Sequence, residues 1–428
     1  MSGFAYRDGV LHAEQVSLEA IAAAVGTPCY VYAAGAMRAG LAGFRHAFRH
    51  RPTLLCYALK ANSNLAVVRL LAAEGAGADT VSGGEVRRAL AAGVPPRRIV
   101  LAGVAKADDE IRLALATGIL QLNVESVPEL VRIGEIATAM GVTAPVALRV
   151  NPDVAAETHD RISTGRREDK FGIDHARAGE AFALARELPG VEPVGLHIHI
   201  GSQIGRVASF EPAYARAVAM FRDLRSAGLP LRRLDLGGGF GVRYLDEARP
   251  VPGELAALVD RLTDGLDCEL ILEPGRVLVA EAGVMLARVI YLKETDARRF
   301  LVLDAGMNNL IRPMLYGAHH EILPVREPGE AEAGLLAIDV VGPVCESTDV
   351  FARDRRLPPL GRGDLVAFTA AGAYGAVMAS DYNSRPSAAQ VLVDGDRFAV
   401  VKPRREAEEQ FADERIPEWL GAVPAGPA

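Results

Sequence analysis

The chain has 428 residues, half of them apolar and 24% charged, a globular composition long enough for two domains. Its net charge of −7 comes with no basic block, which argues against nucleic acid as a partner. Cys29, Cys56, Cys268 and Cys345 make neither a metal spacing nor a disulfide framework, and no apolar stretch is long enough to span a bilayer.

The opening "MSGFAYRDGVLHAEQ" lacks the basic-then-apolar pattern of a secretory leader, so a cytoplasmic location is expected. Next comes "GTPCYVYA", a strand-like run that precedes any regular rhythm. From about residue 53 the chain alternates short apolar runs with amphipathic stretches. The apolar runs are "TLLCYAL", "GAGADTV", "RIVLAG", "LQLNV", "PVALRV", "VGLHIHI", "RRLDLG" and "ELILE". Between them, patterns such as "NLAVVRLLAAEG" and "SVPELVRIGEIATAMG" place apolar residues three and four apart, as helices do. Repeated strand–helix units imply parallel strands with helical crossovers, and eight of them predict a (β/α)8 barrel. The rival, an open doubly wound sheet, would carry a dinucleotide fingerprint after its first strand, and none is present.

After about residue 283 the rhythm changes. "GVMLARVIYLKET", "RRFLVLDAG", "GLLAIDVVGPVCES", "GDLVAFTAAGAYG" and "AAQVLVDGDRFAVV" read as strands broken by Pro, Gly and Asp. The expected division is a barrel over 35–282 and an all-β, sandwich- or barrel-like domain built from 1–34 and 283–428. The charged, Pro-rich tail after Lys402 suggests a short helix and a frayed end.

In such a barrel the chemistry sits at the C-terminal ends of the strands. Those positions are Lys60, Asp79, His199, "LGGGFG" at 236–241 and "EPGR" at 273–276. For Lys60 the bland reading is a stem lying along the core with its ammonium in water. The glycine run lets backbone N–H groups approach an oxyanion, and Arg276 adds a cation to the same corner. His197 and His199 share one face of the sixth strand. Two histidines suggest a metal, but no acid or cysteine near them completes a set. One core and one functional histidine are therefore expected, with His199 able to stack on an aromatic ring and Ser202 able to reach a phosphate. Glu273 places a carboxylate at the mouth of an apolar barrel, which costs several kcal/mol unless it is paired. An anion site, a ring platform, a held proton and a reactive lysine together suit pyridoxal 5'-phosphate.

"YALKAN", "GLHIHIGSQIG", "DLGGGFG", "EPGR", "MNNLIRPMLYGAHH", "GPVCESTDV" and "GAYGAVMASDYNSRP" follow one another in that order. In this the chain resembles the alanine-racemase-like (fold type III) pyridoxal-phosphate enzymes, and within them the diaminopimelate decarboxylases. Several of the motifs are shared with ornithine and arginine decarboxylases. The resemblance implies that Lys60 bonds the cofactor, His199 stacks on its ring and Glu273 pairs with the ring nitrogen. It assigns the phosphate to Ser202, Gly238, Gly239, Gly275, Arg276 and Tyr374, and gives Asp79 the task of orienting Lys60. Cys345 would return a proton to the substrate, reaching in from the second subunit of a homodimer with two shared sites. Arg276, Arg312, Tyr316, Glu346 and Tyr374 would hold the substrate's far end, and "ISTGRREDKFGI" (162–173) resembles a mobile loop. The implied reaction is decarboxylation of meso-2,6-diaminopimelate to L-lysine. A decarboxylase for another basic amino acid or carboxylated polyamine is the nearest alternative, and a non-catalytic cofactor-binding relative is another. An alanine racemase is disfavoured, because it would place an arginine at Glu273. Asp381 and Ser387 depart from the family pattern, which has Asn and a basic residue there.

Overall fold

A computed structural model of the chain describes residues 3–154, 170–329 and 334–421. Among the described residues, the eight apolar runs are eight parallel strands: β1 Thr53–Ala58, β2 Gly77–Thr80, β3 Ile99–Leu101, β4 Gln121–Val124, β5 Ala144–Asn151, β6 Val191–His197, β7 Arg233–Asp235 and β8 Glu269–Leu272. Each pairs with the next, and β8 returns to β1 with Leu270 opposite Thr53, so the sheet closes. The (β/α)8 expectation is met. A two-residue strand, Ile173–Asp174, extends the edge of β5.

The local sequence explains the crossovers. Helix Val127–Met140 starts where the Ser126 hydroxyl accepts the Glu129 N–H at 3.3 Å, and ends where Gly141 turns left-handed at φ 67°. Leu130, Ile133, Ile136 and Ala137 form its buried stripe against the barrel. Burying each of the larger three stabilises the fold by roughly 1.5–3 kcal/mol relative to leaving it in water.

The β domain is a second sheet. Its strands run in the order Val350–Leu357, Leu336–Val341, Arg299–Leu303, Gly283–Glu294, Cys29–Ala33, Ala389–Asp394 and Arg397–Lys402. The early run "GTPCYVYA" thus supplies a central strand, antiparallel to Gly283–Leu286 and parallel to Ala389–Val393. Leu365–Phe368 pairs with the long Gly283–Glu294 strand from the side. An N-terminal hairpin, Phe4–Arg7 with Val10–Ala13, packs Phe4 and Leu11 onto Val31, Val284 and Val391. The hairpin was not legible in the sequence.

One quoted run stops short of its reading, and one strand had no reading. "GLLAIDVVGPVCES" is a strand only through Val341, because Gly342 and Pro343 turn the chain where the Asp349 carboxylate accepts the N–H groups of Val344 and Met307, both at 2.7 Å. Cys345 therefore lies in an exposed turn. Val350–Leu357, whose charged residues hide its period, is a strand that the sequence did not announce. Among its described residues the tail contributes one helical turn, Ala407–Gln410, and a shorter one at Glu418–Leu420.

Candidate active site

β1 runs straight into a single 3-10 turn, Leu59–Ala61, in which Leu59 and Ala61 are buried and Lys60 is aimed at the barrel mouth. Lys60 Nζ donates to Asp79 Oδ2, from the buried end of β2, at 2.9 Å. Asp79 Oδ1 has no partner. Loss of water would lower the pKa of the Lys60 ammonium, but Asp79 and Glu273 outweigh that and hold it above its ordinary value.

Three buried carboxyls meet here: Asp79, Asp235 at the end of β7 and Glu273 just after β8. Burial would raise all three. His197, Lys60 and His199 overcome that for Glu273 and hold it well below the carboxylate range, so it is ionised. Burial and the Glu273 charge push Asp235 up. Asp235 accepts from the Gly237 N–H at 3.0 Å and from Asn123 Nδ2 at 3.2 Å, and the same amide leans toward Glu273 Oε1 at 3.4 Å.

His197 and His199 both face Glu273, at 3.5 Å and 3.9 Å from Oε2. The expectation that no acid stands near the histidine pair is corrected: His197, Asp235 and Glu273 bring ligand-type atoms within 4.8 Å of one another. They come from the ends of three neighbouring strands, not from one stretch of chain. His197 is fully enclosed and His199 partly open. His199 Nδ1 accepts the Gly238 N–H at 3.3 Å, which leaves any ring proton on Nε2. Burial, then the Arg149 and Lys60 charges, hold this imidazole neutral.

The glycine corner is tight. A Cβ on Gly238 would stand 2.2 Å from the Glu273 carbonyl oxygen, and Gly239 adopts φ 93° with equally little room. Gly275 precedes the short helix Arg276–Val279. Arg276 donates from Nη1 to the Tyr244 hydroxyl at 2.8 Å and from Nη2 to Ser202 Oγ at 2.9 Å, while its Nε has no partner. Its guanidinium lies over the Tyr374 ring, 4.5 Å from the centroid. Tyr374 itself holds a left-handed backbone at φ 54°, and its N–H donates to Ala61 O at 2.8 Å, strapping this loop to the lysine turn.

Ser202, Arg276, Arg312, Tyr316 and Tyr374 line one cavity of about 460 Å³, with Tyr244 in its wall. Arg312 is 5% exposed. Cys345 and Glu346 do not line this cavity. Both are exposed on the β domain, where the Cys345 N–H donates to Asn383 Oδ1 at 3.2 Å and Glu346 accepts the Tyr382 hydroxyl. Within one chain the expected acid and the expected lysine are therefore not brought together. Asp381 and Ser387 share a partner: Asp381 lies 3.7 Å from Arg405 Nη1, and Ser387 Oγ accepts the Arg405 N–H at 3.0 Å. Most of the expected loop over 162–173 lies outside the described residues.

A family model for the pyridoxal-dependent decarboxylase pyridoxal-binding domain matches residues 35–280. The diaminopimelate decarboxylase of Vibrio cholerae is 46% identical over 97% of this chain and 99% of its own. The chain belongs to the diaminopimelate decarboxylase family. Within this family, the Helicobacter pylori enzyme, solved with L-lysine, superposes with a TM-score of 0.89 at 42% identity, covering 92% of this chain and 98% of that one. The M. jannaschii enzyme, also solved with L-lysine, gives 0.93 at 35% identity over 98% and 100%.

The barrel mouth fits the pyridoxal group that names the family domain. It offers a primary amine on a fixed turn, an ionised buried carboxylate and a neutral planar imidazole. Beside them is a corner of backbone N–H groups where the buried Arg276 keeps one N–H unspent. Tyr244, Asp235 and His320 escaped the sequence reading. Asp235 opens the quoted "DLGGGFG" and His320 closes "GAHH", so both were in view without a stated role.

Proposed function

We propose that this chain binds pyridoxal 5'-phosphate at the barrel mouth and decarboxylates meso-2,6-diaminopimelate to L-lysine and carbon dioxide. The observation that carries the reading is Arg312, a buried guanidinium facing the same cavity as Arg276 with only neutral hydrogen-bond partners among the described residues. Two buried cations bonded only to hydroxyls and an imidazole call for two anions. One is the cofactor phosphate and the other a carboxylate at the substrate's far end. Ornithine, which ends in a cation, gives Arg312 no such partner.

Lys60 Nζ would hold the cofactor covalently, with Asp79 fixing its direction. Ser202, Gly238, Gly239, Gly275, Arg276 and Tyr374 would hold the phosphate. His199 would lie on the ring face, and ionised Glu273 would keep a proton on the ring nitrogen. Bound there, the cofactor supplies an electron sink for the pair left behind when the α-carboxylate departs. Arg312 and Tyr316, helped by Arg276 and Tyr374, would orient the substrate so that the other carboxylate is the one lost. Cys345 Sγ would then give a proton to the α-carbon, and Glu346 would meet the distal amine. Both residues are exposed in the single chain, which supports a homodimer in which each protomer completes the other's site. A cytoplasmic biosynthetic enzyme is the matching setting.

The test is carbon dioxide release by the cofactor-loaded protein, with meso-diaminopimelate, ornithine, arginine and L-lysine run in parallel. Release from diaminopimelate alone, with lysine as product, is the expected result. Release only from ornithine or arginine keeps the chemistry and overturns the reading of Arg312.

A further inference from the structure

The Arg312 side chain has one hydrogen bond among the described residues: Nε donates to His320 Nε2 at 3.3 Å. The other side of that ring decides its state. His320 Nδ1 lies 2.8 Å from the Thr369 carbonyl oxygen, which can only accept, so Nδ1 carries the proton. Nε2 is then a lone pair, the one thing an arginine Nε–H can use. Burial, with Arg312, His319 and Arg276 nearby, keeps the ring from taking a second proton and pushes its pKa down to about 3. The ring is also fixed in space. It is 3% exposed, meets the Tyr244 ring edge-on with centroids 5.4 Å apart, and its own carbonyl accepts from Arg355 Nη2 at 3.2 Å. Tyr244 supports the other face of the site, with the Arg312 guanidinium 4.9 Å above its ring and its hydroxyl bonded to Arg276.

We propose that His320 is the positioning residue for Arg312: it engages Nε, so that the two terminal nitrogens are the pair left to grip a carboxylate at the far end of the substrate. The proposal deepens the substrate reading given above and rests on it. A guanidinium bonds a carboxylate side-on through two parallel N–H groups, and which edge it presents depends on how its plane is turned. Arg312 without a fixed Nε partner can rotate about its last bonds and present any edge. With Nε held by His320, the Nη1/Nη2 edge is the one left over.

The experiment uses the cofactor-loaded protein and two probes that differ by one carboxylate: L-lysine and 1,5-diaminopentane. Their dissociation constants are read calorimetrically, without turnover. Wild type is expected to prefer lysine. In His320→Phe, which keeps a ring and removes the acceptor, the preference should shrink by about tenfold, the scale of one hydrogen bond to a charged group. His320→Gln, whose amide oxygen reaches the place of Nε2, should restore most of it. His320→Asn, which can still reach Thr369 but not Nε, should resemble the Phe variant and carries the test where His320→Phe does not fold. A full lysine preference in His320→Phe or His320→Asn overturns the proposal while leaving Arg312 as the carboxylate ligand. Equal binding of the two probes by wild type overturns the Arg312 reading itself and the proposal with it.

Discussion

Lys60 Nζ and Asp79 Oδ2 stand 2.9 Å apart at the ends of neighbouring strands, the carboxylate fully buried and the lysine side chain 36% exposed. The carboxylate is the lysine's only ion-pair partner within 4 Å among the described residues, and Glu273 acts on it from farther away. Asp79→Asn keeps the shape and removes the charge. Because water still reaches Lys60, the lost pair should lower stability by only about 1 kcal/mol, less than an enclosed pair costs. Turnover should fall further, between about 10- and 100-fold, since the amine is no longer held in one direction. A denaturant midpoint and a turnover number on the same sample separate the two effects. Unchanged turnover would remove Asp79 from the site.

As pH falls, His320 should weaken the fold before the surface carboxylates titrate, while Asp235 and Asp79, whose carboxyls burial pushes up, act in the opposite direction. His320 is neutral when folded, with its pKa down to about 3, and titrates near 6.5 when unfolded. For a depressed pKa the stabilising contribution is complete above the unfolded value, declines as pH falls through 6.5, and is exhausted below about 3. His199, held neutral by burial and neighbouring cations, acts in the same direction. Glu273, held low, adds its own loss once pH falls below the ordinary carboxylate value. Between pH 6 and 4 each histidine steepens the decline by up to about 1.4 kcal/mol per pH unit. Urea midpoints of wild type and His320→Gln across that range should diverge, with the variant declining less steeply. Parallel curves would mean that the folded His320 ring takes its second proton as readily as the unfolded one.

These groups mark where the sequence was legible. Lys60, Asp79, His199 and Glu273 could be found because strand ends in a parallel barrel are read directly from the apolar runs, and the barrel puts every such end on one rim. The meeting of His197, Asp235 and Glu273 could not. His197 lies opposite Asp235 because of the register between β6 and β7, which interstrand hydrogen bonds decide. The exposed Cys345 turn was misread for a related reason. Val340, Val341 and Val344 favour a strand, but Asp349 folds the chain back, and a Cβ on Gly342 would stand only 2.3 Å from its Oδ2. Tyr244 and His320 carried no pattern because they act through other side chains, and only the folded cavity reveals that.

Arg312→Lys tests whether the far-end cation works by charge or by shape. Lysine keeps the charge but has no planar fork and no Nε to engage His320. If two charge-assisted hydrogen bonds orient the far carboxylate, kcat/KM for diaminopimelate should fall by roughly 30- to 100-fold, mostly through KM. The cofactor's absorption should stay as in wild type, because Arg312 lies outside the residues assigned to the ring and phosphate. A full kcat/KM in Arg312→Lys would reduce its role to electrostatic attraction.

The placement of Cys345 yields the sharpest check on assembly. Cys345 is exposed and absent from the cavity of its own chain, while Lys60 sits at the barrel mouth. If each site takes Lys60 from one protomer and Cys345 from the other, Lys60→Ala and Cys345→Ala should each be nearly inactive when pure. Mixed one to one and allowed to exchange subunits, half of the dimers become hybrids. Each hybrid has one site built from two intact contributions and one that lacks both. Activity should therefore recover to about a quarter of wild type, the statistical limit for a two-fold dimer with shared sites. Cys345→Ala alone should still bind the cofactor covalently, since Lys60 is intact, whereas Lys60→Ala should show only the spectrum of free cofactor. If mixing recovers nothing although native mass spectrometry shows hybrids, each site is built within one chain, and Cys345 is not its proton donor.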